Sequence, residues 1–254
     1  MSDEVLYEVR DGAAWVTINR PEARNALNEA VRSGLKTAFE RAESDPAIGV
    51  VVLTGAGDKA FCAGGDLKEM ATVSLTVPPP DYVPQPNRTI TMTKPVIAAV
   101  NGGAFGGGFL LAQSADLVVS AEHARFGISE IKIGRGAPWA APLPWLVPPR
   151  VAMQMLVTGD PVSAQRAYEV GLVNEVVPAE RLVARTEELV ATIVACAPLS
   201  VRAGKATVYA AAQYSRDAAF EAAEEIWRPV YLSEDAQEGP RAFAEKRRPV
   251  WQGR

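Results

Sequence analysis

Two glycine-rich turns have the residue types and spacing best suited to chemistry. The first runs from Ala60 to Leu67 after the apolar stretch 50–54, and the second from Asn101 to Gly108 after the apolar stretch 95–100. Glycine lets the backbone approach a ligand closely, and free N–H groups at the start of a helix favour negative charge. Two such turns that converge would hold a carbonyl oxygen that becomes anionic during a reaction, which is an oxyanion hole.

Glu130 is the carboxylate best suited to moving a proton. It lies in the segment Phe126–Ile131, between apolar residues and downstream of a predicted strand. Apolar surroundings raise the pKa of a carboxyl group, which suits it to general acid or base catalysis near neutral pH. From spacing alone, a solvated loop glutamate is the commoner interpretation, so a catalytic role needs further support.

Three other reactive side chains have simpler structural interpretations. Asp66 follows the first glycine turn and is predicted to cap a helix, while Cys62 is predicted to be a small buried apolar residue. His123, the one histidine of the chain, lies in a polar connector and is expected at the surface. A Ser-His-Asp triad and a histidine-rich metal site are therefore disfavoured, and no carboxylate cluster has the spacing of metal ligands.

The elements that must position the turns alternate between strand and helix. A hairpin is predicted around Asp11-Gly12, because the residues on both sides alternate in polarity. An amphipathic helix over Asn28–Glu43 precedes the first apolar strand. Further elements are predicted at Leu67–Ala71 (helix), Gly107–Ser114 (helix) and Asp116–Ser120 (strand). This alternation indicates an α/β protein with a parallel sheet and right-handed crossovers.

Two stretches depart from that alternation. The proline-rich stretch from Pro78 to Pro86 cannot form a regular helix or a central strand, so Thr72–Asn87 is expected to be an irregular or mobile flap. Beyond residue 160 the spacing is mostly helical, and most of these helices are apolar on one side. They are predicted to pack on the core and on a partner subunit, over the ranges Ser163–Val170, Ala179–Ala195, Val201–Tyr209, Ala218–Tyr231 and Asp235–Glu245.

Composition limits the classes of function. The chain has 254 residues, of which 48% are hydrophobic, which fits one α/β core with an appendage. No stretch approaches the roughly 20 apolar residues of a membrane span, and the first residues lack the pattern of a signal peptide. The two cysteines have neither metal nor redox spacing, and the net charge of −4 argues against a general nucleic-acid surface. We expect a cytoplasmic protein with neither nucleic acid nor membrane as partner.

Together the motifs resemble the crotonase superfamily, the enoyl-CoA hydratase/isomerase family, nearly from end to end. The segment Asn19–Leu27 resembles the family's first CoA-contacting turn, and Ala60–Met70 and Pro95–Gly108 resemble its two oxyanion turns. Phe126–Ile131 resembles the segment that bears a catalytic glutamate. Further similarity lies in Leu156–Asp160, Gly171–Asn174, Pro142–Pro149 and Ser233–Phe243, the last two being similar to members close to carnitinyl-CoA dehydratase.

The resemblance implies a fold and an assembly. The fold is the crotonase spiral of ββα units, an α/β class, with residues 1–195 as the core that holds the CoA and acyl site. Residues 196–254 would form a helical C-terminal region for trimerisation, in a homotrimer or a dimer of trimers. No cofactor is implied, because the coenzyme A thioester is itself the substrate.

The resemblance also implies roles for individual residues. The N–H groups of Gly65 and Gly107 would bind the thioester oxygen and stabilise an enolate, with Glu130 as acid or base. The resemblance does not specify the cations that meet the CoA phosphates; candidates are Arg24, Lys59, Lys68 and Lys246, and for each of them a solvated surface charge is the commoner interpretation. Residues that would contact substrate or CoA are Ala23, Arg24, Ala26, Ala63, Gly64, Asp66, Leu67, Gly106, Leu110 and Trp139.

Two positions depart from the family pattern. Hydratases of this family usually carry two glutamates twenty positions apart; the second matches Glu130, but the first falls on Leu110. A leucine neither accepts nor donates a proton, whereas two carboxylates hold and activate the water in a hydratase. Trp139 stands in a segment where many members have a glycine-rich turn. It would either line and reshape the acyl pocket or pack against Trp145.

Three hypotheses of function are consistent with the sequence. The first is an enzyme acting on a 2- or 3-enoyl-CoA with Glu130 as its single acid/base. The second uses the same site for C–C bond chemistry, either decarboxylation or hydratase-lyase cleavage, with Tyr82 of the flap as a polar partner. The third is a non-catalytic acyl-CoA binder, which the missing glutamate at Leu110 favours and the retained Glu130 opposes.

Overall fold

The computed structural model describes residues 3–73 and 76–254. These residues form ten β-strands, which are β1 Val5–Arg10, β2 Ala13–Ile18, β3 Val50–Gly55, β4 Ala60–Cys62, β5 Val96–Val100, β6 Gly103–Phe105, β7 Leu117–Ala121, β8 Arg125–Gly127, β9 Val162–Ser163 and β10 Glu175–Val177. They also form ten α-helices, which are α1 Glu29–Ser44, α2 Leu67–Val73, α3 Gly107–Ser114, α4 Leu143–Leu146, α5 Pro149–Thr158, α6 Ala164–Glu169, α7 Leu182–Val194, α8 Pro198–Gln213, α9 Arg216–Tyr231 and α10 Asp235–Ala244.

The central strands of the larger sheet are buried on both faces. Its six strands have the order β1-β2-β3-β5-β7-β10, and all neighbours are parallel except the hairpin β1–β2. In β3, Val51 and Leu53 pack into the larger apolar cluster of the protein, and Val50 and Val52 pack into a smaller cluster. Because both faces are covered, the strand sequence is a continuous apolar run, as parallel sheets require.

A smaller sheet runs beside it and repeats one local arrangement. Its order is β4-β6-β8-β9, with β4, β6 and β8 parallel. Each of these three short strands follows a long strand of the larger sheet: β3 then β4, β5 then β6, and β7 then β8. A helix or helical turn follows each short strand. The predicted spiral of ββα units is confirmed, and it brings three consecutive strand ends to one edge.

The elements predicted in the first half of the chain form with nearly the predicted bounds. The hairpin pairs Arg10 with Ala13 across Asp11-Gly12. Helix α1 begins after Asn28, whose side-chain oxygen accepts a hydrogen bond from the backbone N–H of Val31 at 2.9 Å. This cap satisfies one of the N–H groups that a helix start leaves without an intrahelical partner.

Several features differ from the sequence-based expectation. Helix α5 and strands β9 and β10 were not predicted, and β10 extends the parallel sheet by pairing with β7. Of the expected flap, Thr72 and Val73 instead form the end of helix α2, Ser74 and Leu75 lie outside the described residues, and 76–87 contains no helix or strand, as expected. The end of the segment is not a free flap, because Val83 is 8% exposed and packs into the larger apolar cluster.

The C-terminal helices attach to the core through a buried polar cluster. The carboxylate of Asp116 accepts a hydrogen bond from the Tyr209 hydroxyl at 2.9 Å and lies 2.8 Å from the Lys205 Nζ. Both partners lie on α8. The predicted division into 1–195 and 196–254 stays a prediction. Among the described residues, no single helix has the length and hydropathy of a membrane span, although Ala179–Val194 and Pro198–Gln213, bent by 106°, meet that test as a pair.

Candidate active site

The two glycine turns meet where β4 and β6 end. Gly64 has a φ of +99°, and a Cβ atom placed on it would lie 2.9 Å from the carbonyl oxygen of Phe105 and 3.4 Å from the nitrogen of Gly107. A side chain at Gly64 would therefore push the turns apart, and its φ is one that L-residues rarely adopt. The contact depends on parallel strands β4 and β6, whose carboxyl ends lie at the same edge of the smaller sheet.

Two backbone N–H groups at this junction are available as hydrogen-bond donors. Within the part of the chain that the structure describes, neither Gly65 N nor Gly107 N donates a hydrogen bond. Gly107 is the first residue of α3, so its N–H has no intrahelical acceptor. Val83 approaches from the proline-rich segment, with its Cγ2 3.7 Å from a Cβ atom placed on Gly107. The junction therefore offers two N–H donors beside an apolar side chain.

Glu130 comes to the same junction from the third unit. It lies in the 3-10 helical turn Ser129–Ile133, directly after β8, the strand that pairs with β6. Its carboxylate covers Gly106: a Cβ atom placed there would lie 3.1 Å from Oε1 and 3.3 Å from Oε2. The carboxylate thus lies against the N-terminus of α3, one residue before Gly107.

Burial controls the ionisation of Glu130. Removal from water raises the pKa of this carboxyl group above its ordinary value, against the opposing effects of its own backbone N–H and the Trp139 indole. Oε1 accepts a hydrogen bond from Trp139 Nε1 at 3.1 Å, whereas Oε2 is buried and has no hydrogen-bond partner among the described residues. A raised pKa strengthens the carboxylate as a base, and an unpartnered oxygen is free to take a proton.

Leu110 provides no second acid near Glu130. It lies one helical turn after Gly106, its N–H donates to the Gly106 carbonyl at 2.9 Å, and its side chain is 3% exposed in the larger apolar cluster. No other carboxylate is among the causes that shift the pKa of Glu130. Within residues 3–73 and 76–254, no group of three His, Cys, Asp or Glu residues could hold a metal ion.

Trp139 packs differently from the sequence-based alternative of a stack on Trp145. Trp145 is 71% exposed, and the ring of Trp139 makes an edge-to-face contact with Phe109 at a centroid distance of 5.8 Å. Phe109 lies on α3, so the contact places the indole beside the glycine junction. Trp139 is 7% exposed, and its indole N–H donates a hydrogen bond to the Glu130 carboxylate.

The turn predicted to contact CoA is attached to the first glycine turn. The backbone carbonyl of Arg24 accepts a hydrogen bond from the N–H of Ala63 at 3.0 Å, and the N–H of Leu27 donates to the Gly64 carbonyl at 2.8 Å. Ala23 ends a 3-10 helical turn, and Ala26 lies between these two attachments. The residues predicted for CoA thus lie along one edge of the junction, and their roles toward a ligand stay predictions.

Asn25 holds this turn, and its importance is not visible from the sequence. It is fully buried with a φ of +57°, and its Nδ2 donates to the carbonyls of Ala60 at 2.7 Å and Ala56 at 3.0 Å. Its Oδ1 accepts from the N–H of Arg20 at 3.0 Å. Asparagine is one of the few residues that adopts such a φ readily, which adds a backbone reason for its presence.

Replacing Asn25 with aspartate should destabilise the fold by about 3 kcal/mol, because a buried carboxylate would face two carbonyl oxygens in place of a donor. Chemical denaturation of Asn25→Asp measures this loss. The matched control is Asn19→Asp, whose side chain donates only at the edge of the protein, to Asp3 O at 2.9 Å. Equal stability of the two variants would contradict the role given to Asn25.

Three reactive or capping residues have the structural roles that the sequence predicts for them. Asp66 accepts from the N–H groups of Lys68 at 3.1 Å and Glu69 at 3.3 Å, so the predicted cap of α2 is confirmed. Burial raises the pKa of the Cys62 thiol to about 12, which confirms a buried apolar residue that is inert as a nucleophile. His123 is exposed, as predicted, and its Nε2 lies 3.0 Å from the carbonyl of Asp58.

The cations predicted for the CoA phosphates lie at the surface. Arg24, Lys59, Lys68 and Lys246 are all exposed, and none of them forms an ion pair with another described residue. Leu67, the first residue of α2, is 59% exposed. These side chains are accessible to a ligand, and contact with the phosphates stays a prediction.

The geometry defines a class of site: paired backbone donors for an oxyanion, beside a buried carboxylate that can move a proton. The profile of the Enoyl-CoA hydratase/isomerase family matches residues 8–254, and the chain belongs to this family. The fold is therefore the crotonase fold, and the protein is an enzyme of a family that processes acyl-CoA thioesters.

Individual relatives agree with this assignment over whole chains. The chain is 37% identical over 258 residues to the (E)-benzylidenesuccinyl-CoA hydratase of Thauera aromatica, covering 98% of this chain and 99% of the relative. It is 39% identical over 262 residues to the carnitinyl-CoA dehydratase of Salmonella typhi, covering 99% of both. The crystal structure of an enoyl-CoA hydratase from Mycobacterium tuberculosis superposes with a TM-score of 0.91 at 40% identity, covering 100% of both chains.

Proposed function

We propose that the protein acts on an enoyl-CoA thioester with Glu130 as its single acid/base. The observation that carries this proposal is the junction itself. The N–H groups of Gly65 and Gly107, which have no acceptor among the described residues, lie on touching turns, and the Glu130 carboxylate lies against Gly106. The N–H groups would hold the thioester oxygen, and the buried carboxylate would exchange a proton with the neighbouring carbon.

The reaction that this site supports best is double-bond isomerisation. The Glu130 carboxylate removes a proton from C2 of a 3-enoyl thioester, and the negative charge moves to the thioester oxygen between the two N–H donors. The same carboxyl group then returns the proton to C4, which yields the 2-enoyl thioester. One carboxylate that reaches both carbons is sufficient, because the proton that leaves is the proton that returns.

Hydration would need a second polar group to hold the water. Leu110 occupies the family position of one hydratase glutamate, and its side chain is 3% exposed among apolar residues. The relatives named above include a hydratase and a dehydratase, so hydration by this chain would require another group to position the water. The proposal therefore predicts that isomerisation outpaces hydration in the natural protein.

An assay on crotonyl-CoA and 3-hexenoyl-CoA tests the proposal, with Leu110→Glu beside the natural protein. We expect isomerisation by the natural protein, and hydration on the order of 10-fold faster in Leu110→Glu, because the second carboxylate can then activate water. Leu110→Gln, which has the same length but no acid, is the matched control and should not gain hydration. Ready hydration by the natural protein would contradict the role given to Leu110.

Tyr82 supports the second candidate, C–C bond chemistry on an acyl-CoA. Its hydroxyl is buried without a hydrogen-bond partner among the described residues, and its ring lies under the Arg32 guanidinium at 4.1 Å. Such a hydroxyl can donate to a polar group on a substrate. Release of carbon dioxide or an aldehyde from a candidate thioester, lost in Tyr82→Phe, would favour this candidate over isomerisation.

The proposed assembly is a homotrimer or a dimer of trimers in the cytoplasm. Large apolar side chains stand exposed on and beside the last helices: Tyr231 at 73%, Leu232 at 79% and Phe243 at 87%. Their burial against other subunits would explain this exposure. The two free cysteines, Cys62 and Cys196, fit a reducing compartment. Sedimentation equilibrium should give three or six times the chain mass of 27.1 kDa.

A further inference from the structure

The two oxygens of Glu130 have different surroundings. Oε1 accepts the indole N–H of Trp139 at 3.1 Å. Oε2 is buried and accepts no hydrogen bond from any described residue. Buried polar atoms are nearly always hydrogen-bonded in folded proteins, so an unpartnered one calls for a physical reason. The indole therefore distinguishes the two oxygens of one carboxylate.

Trp139 is itself held by the helix that begins at the glycine junction. Its ring contacts Phe109 edge to face at 5.8 Å with an interplanar angle of 86°, and its carbonyl accepts from Gln113 Nε2 at 2.6 Å. Phe109 and Gln113 are four residues apart on α3, so they lie on the same face of that helix. Trp139 is thus anchored by its ring and by its backbone carbonyl.

The same helix carries one of the candidate oxyanion donors. Gly107 is the first residue of α3, and Gly106 immediately before it lies against the Glu130 carboxylate. A connected path therefore runs from Gly107 through α3 to Phe109 and Gln113, to Trp139, and back to Glu130. These contacts connect the Glu130 carboxylate to the helix that carries the Gly107 N–H group.

We propose that Trp139 is a positioning residue, whose indole N–H holds Oε1 of Glu130 and thereby leaves Oε2 as the oxygen that exchanges the proton with substrate. This inference rests on Glu130 being the acid/base of the proposed function. It gives Trp139 a role distinct from lining the acyl pocket. A pocket-lining or packing tryptophan needs its ring, whereas a positioning tryptophan needs its N–H.

Trp139→Phe separates these roles, because phenylalanine keeps an aromatic ring against Phe109 and removes the N–H. For isomerisation, kcat/KM falls at low pH as the base is protonated, so its acidic limb reports Glu130 in the free enzyme. Loss of a donor to the carboxylate raises its pKa, which should move this limb to higher pH by about one unit. We also expect kcat at the pH optimum to fall about 10- to 100-fold while KM stays within about threefold.

Trp145→Phe is the matched control, because Trp145 is 71% exposed and lies outside the proposed machinery. It should leave both the acidic limb and kcat unchanged. A Trp139→Phe enzyme that loses thermal stability but keeps the natural acidic limb would overturn the inference and leave Trp139 as a packing residue. Glu130→Gln tests the proposed function separately. Full turnover by this variant would show that Glu130 is not the acid/base, whatever the role of Trp139.

A second measurement does not depend on the folding of Trp139→Phe. The chain has five tryptophans, so a proton–nitrogen NMR spectrum shows five indole N–H signals. One of them should shift with pH as Glu130 ionises, and this titration should be absent in Glu130→Gln. Trp145→Phe should remove a different signal. The inference fails if the natural protein has no indole signal that shifts with pH, or if every such shift persists in Glu130→Gln. Either result would show that the indole does not hold Glu130.

Discussion

Glu130→Gln should lower isomerase turnover by about 10³- to 10⁴-fold, while binding of an unreactive acyl-CoA stays within about threefold. Glutamine has the same length and keeps an oxygen that can accept the Trp139 indole N–H, so the local packing is retained. The amide cannot take a proton from C2, and the donors at Gly65 and Gly107 remain. Stopped-flow absorbance for turnover and calorimetry for binding measure the two effects separately.

The matched control for this prediction is Glu180→Gln. Glu180 is exposed on a helical turn and forms no ion pair with another described residue, so the same chemical change there should leave turnover unchanged. Natural turnover by Glu130→Gln would show that another group is the base. A parallel loss of CoA binding would instead indicate that Glu130 holds the ligand.

Glu130→Gln should lower turnover but raise thermal stability relative to the natural protein as pH rises. Burial raises the pKa of the Glu130 carboxyl group, so the folded protein binds this proton more tightly than the unfolded chain. Its contribution to stability is therefore greatest below the ordinary carboxyl pKa, and it falls as pH rises through the raised pKa. Glutamine lacks this dependence, so Glu130→Gln should gain thermal stability over the natural protein as pH rises. An identical pH dependence of Tm in both proteins would contradict the burial argument.

Gly107→Pro should lower turnover by about 10²- to 10³-fold, which is the usual loss when one oxyanion donor is removed. Proline lacks the backbone N–H and is well accommodated at the first position of a helix, which Gly107 occupies in α3. The variant therefore removes the proposed donor with limited effect on the helix. Turnover on 3-hexenoyl-CoA, with circular dichroism to confirm the fold, measures the outcome.

Gly107→Ala is the control that keeps the N–H and adds a Cβ atom. That atom would lie 2.8 Å from Leu27 Cδ1, the end of a flexible side chain that can move, so we expect a loss of less than about tenfold. If alanine and proline reduce turnover equally, space at the junction matters and the N–H does not. If neither reduces turnover, Gly107 is not an oxyanion donor.

The chain sequence predicted the local units well because their signals are local. Val50–Thr54 is an apolar run of strand length, Asn28 precedes an amphipathic stretch, and the glycine runs interrupt strand and helix patterns. Each of these signals lies within a few residues of the element it predicts. The apolar neighbours of Glu130 are a local signal too, but they leave a solvated loop glutamate as the commoner interpretation, and the catalytic role comes from the resemblance to the family.

The two missed strands have no comparable local signal, unlike helix α5, which begins with Pro149 and is followed by Gly159 in a left-handed conformation. Strands β9 and β10 contain two and three residues, too few to show an alternating pattern, and they form because β8 and β7 supply hydrogen-bond partners. Their existence depends on distant parts of the chain. The packing of Val83 into the core was missed for the same reason, because a proline-rich segment gives no periodicity from which a buried face could be inferred.

The parts of this site can be read from the sequence: the glycines that permit the turns, the carboxylate, the leucine that replaces a second acid, and the family to which they belong. Their arrangement depends on how distant elements pack together. The pairing of β4, β6 and β8 puts three strand ends at one edge, although Gly65 and Glu130 are far apart in the chain. The hydrogen bond from Trp139 to Glu130 also depends on α3, where Gln113 donates to the Trp139 carbonyl and holds that residue in place. Residues nine positions apart in a loop have no fixed geometry until other elements pack against them, so this contact could not be read from the sequence.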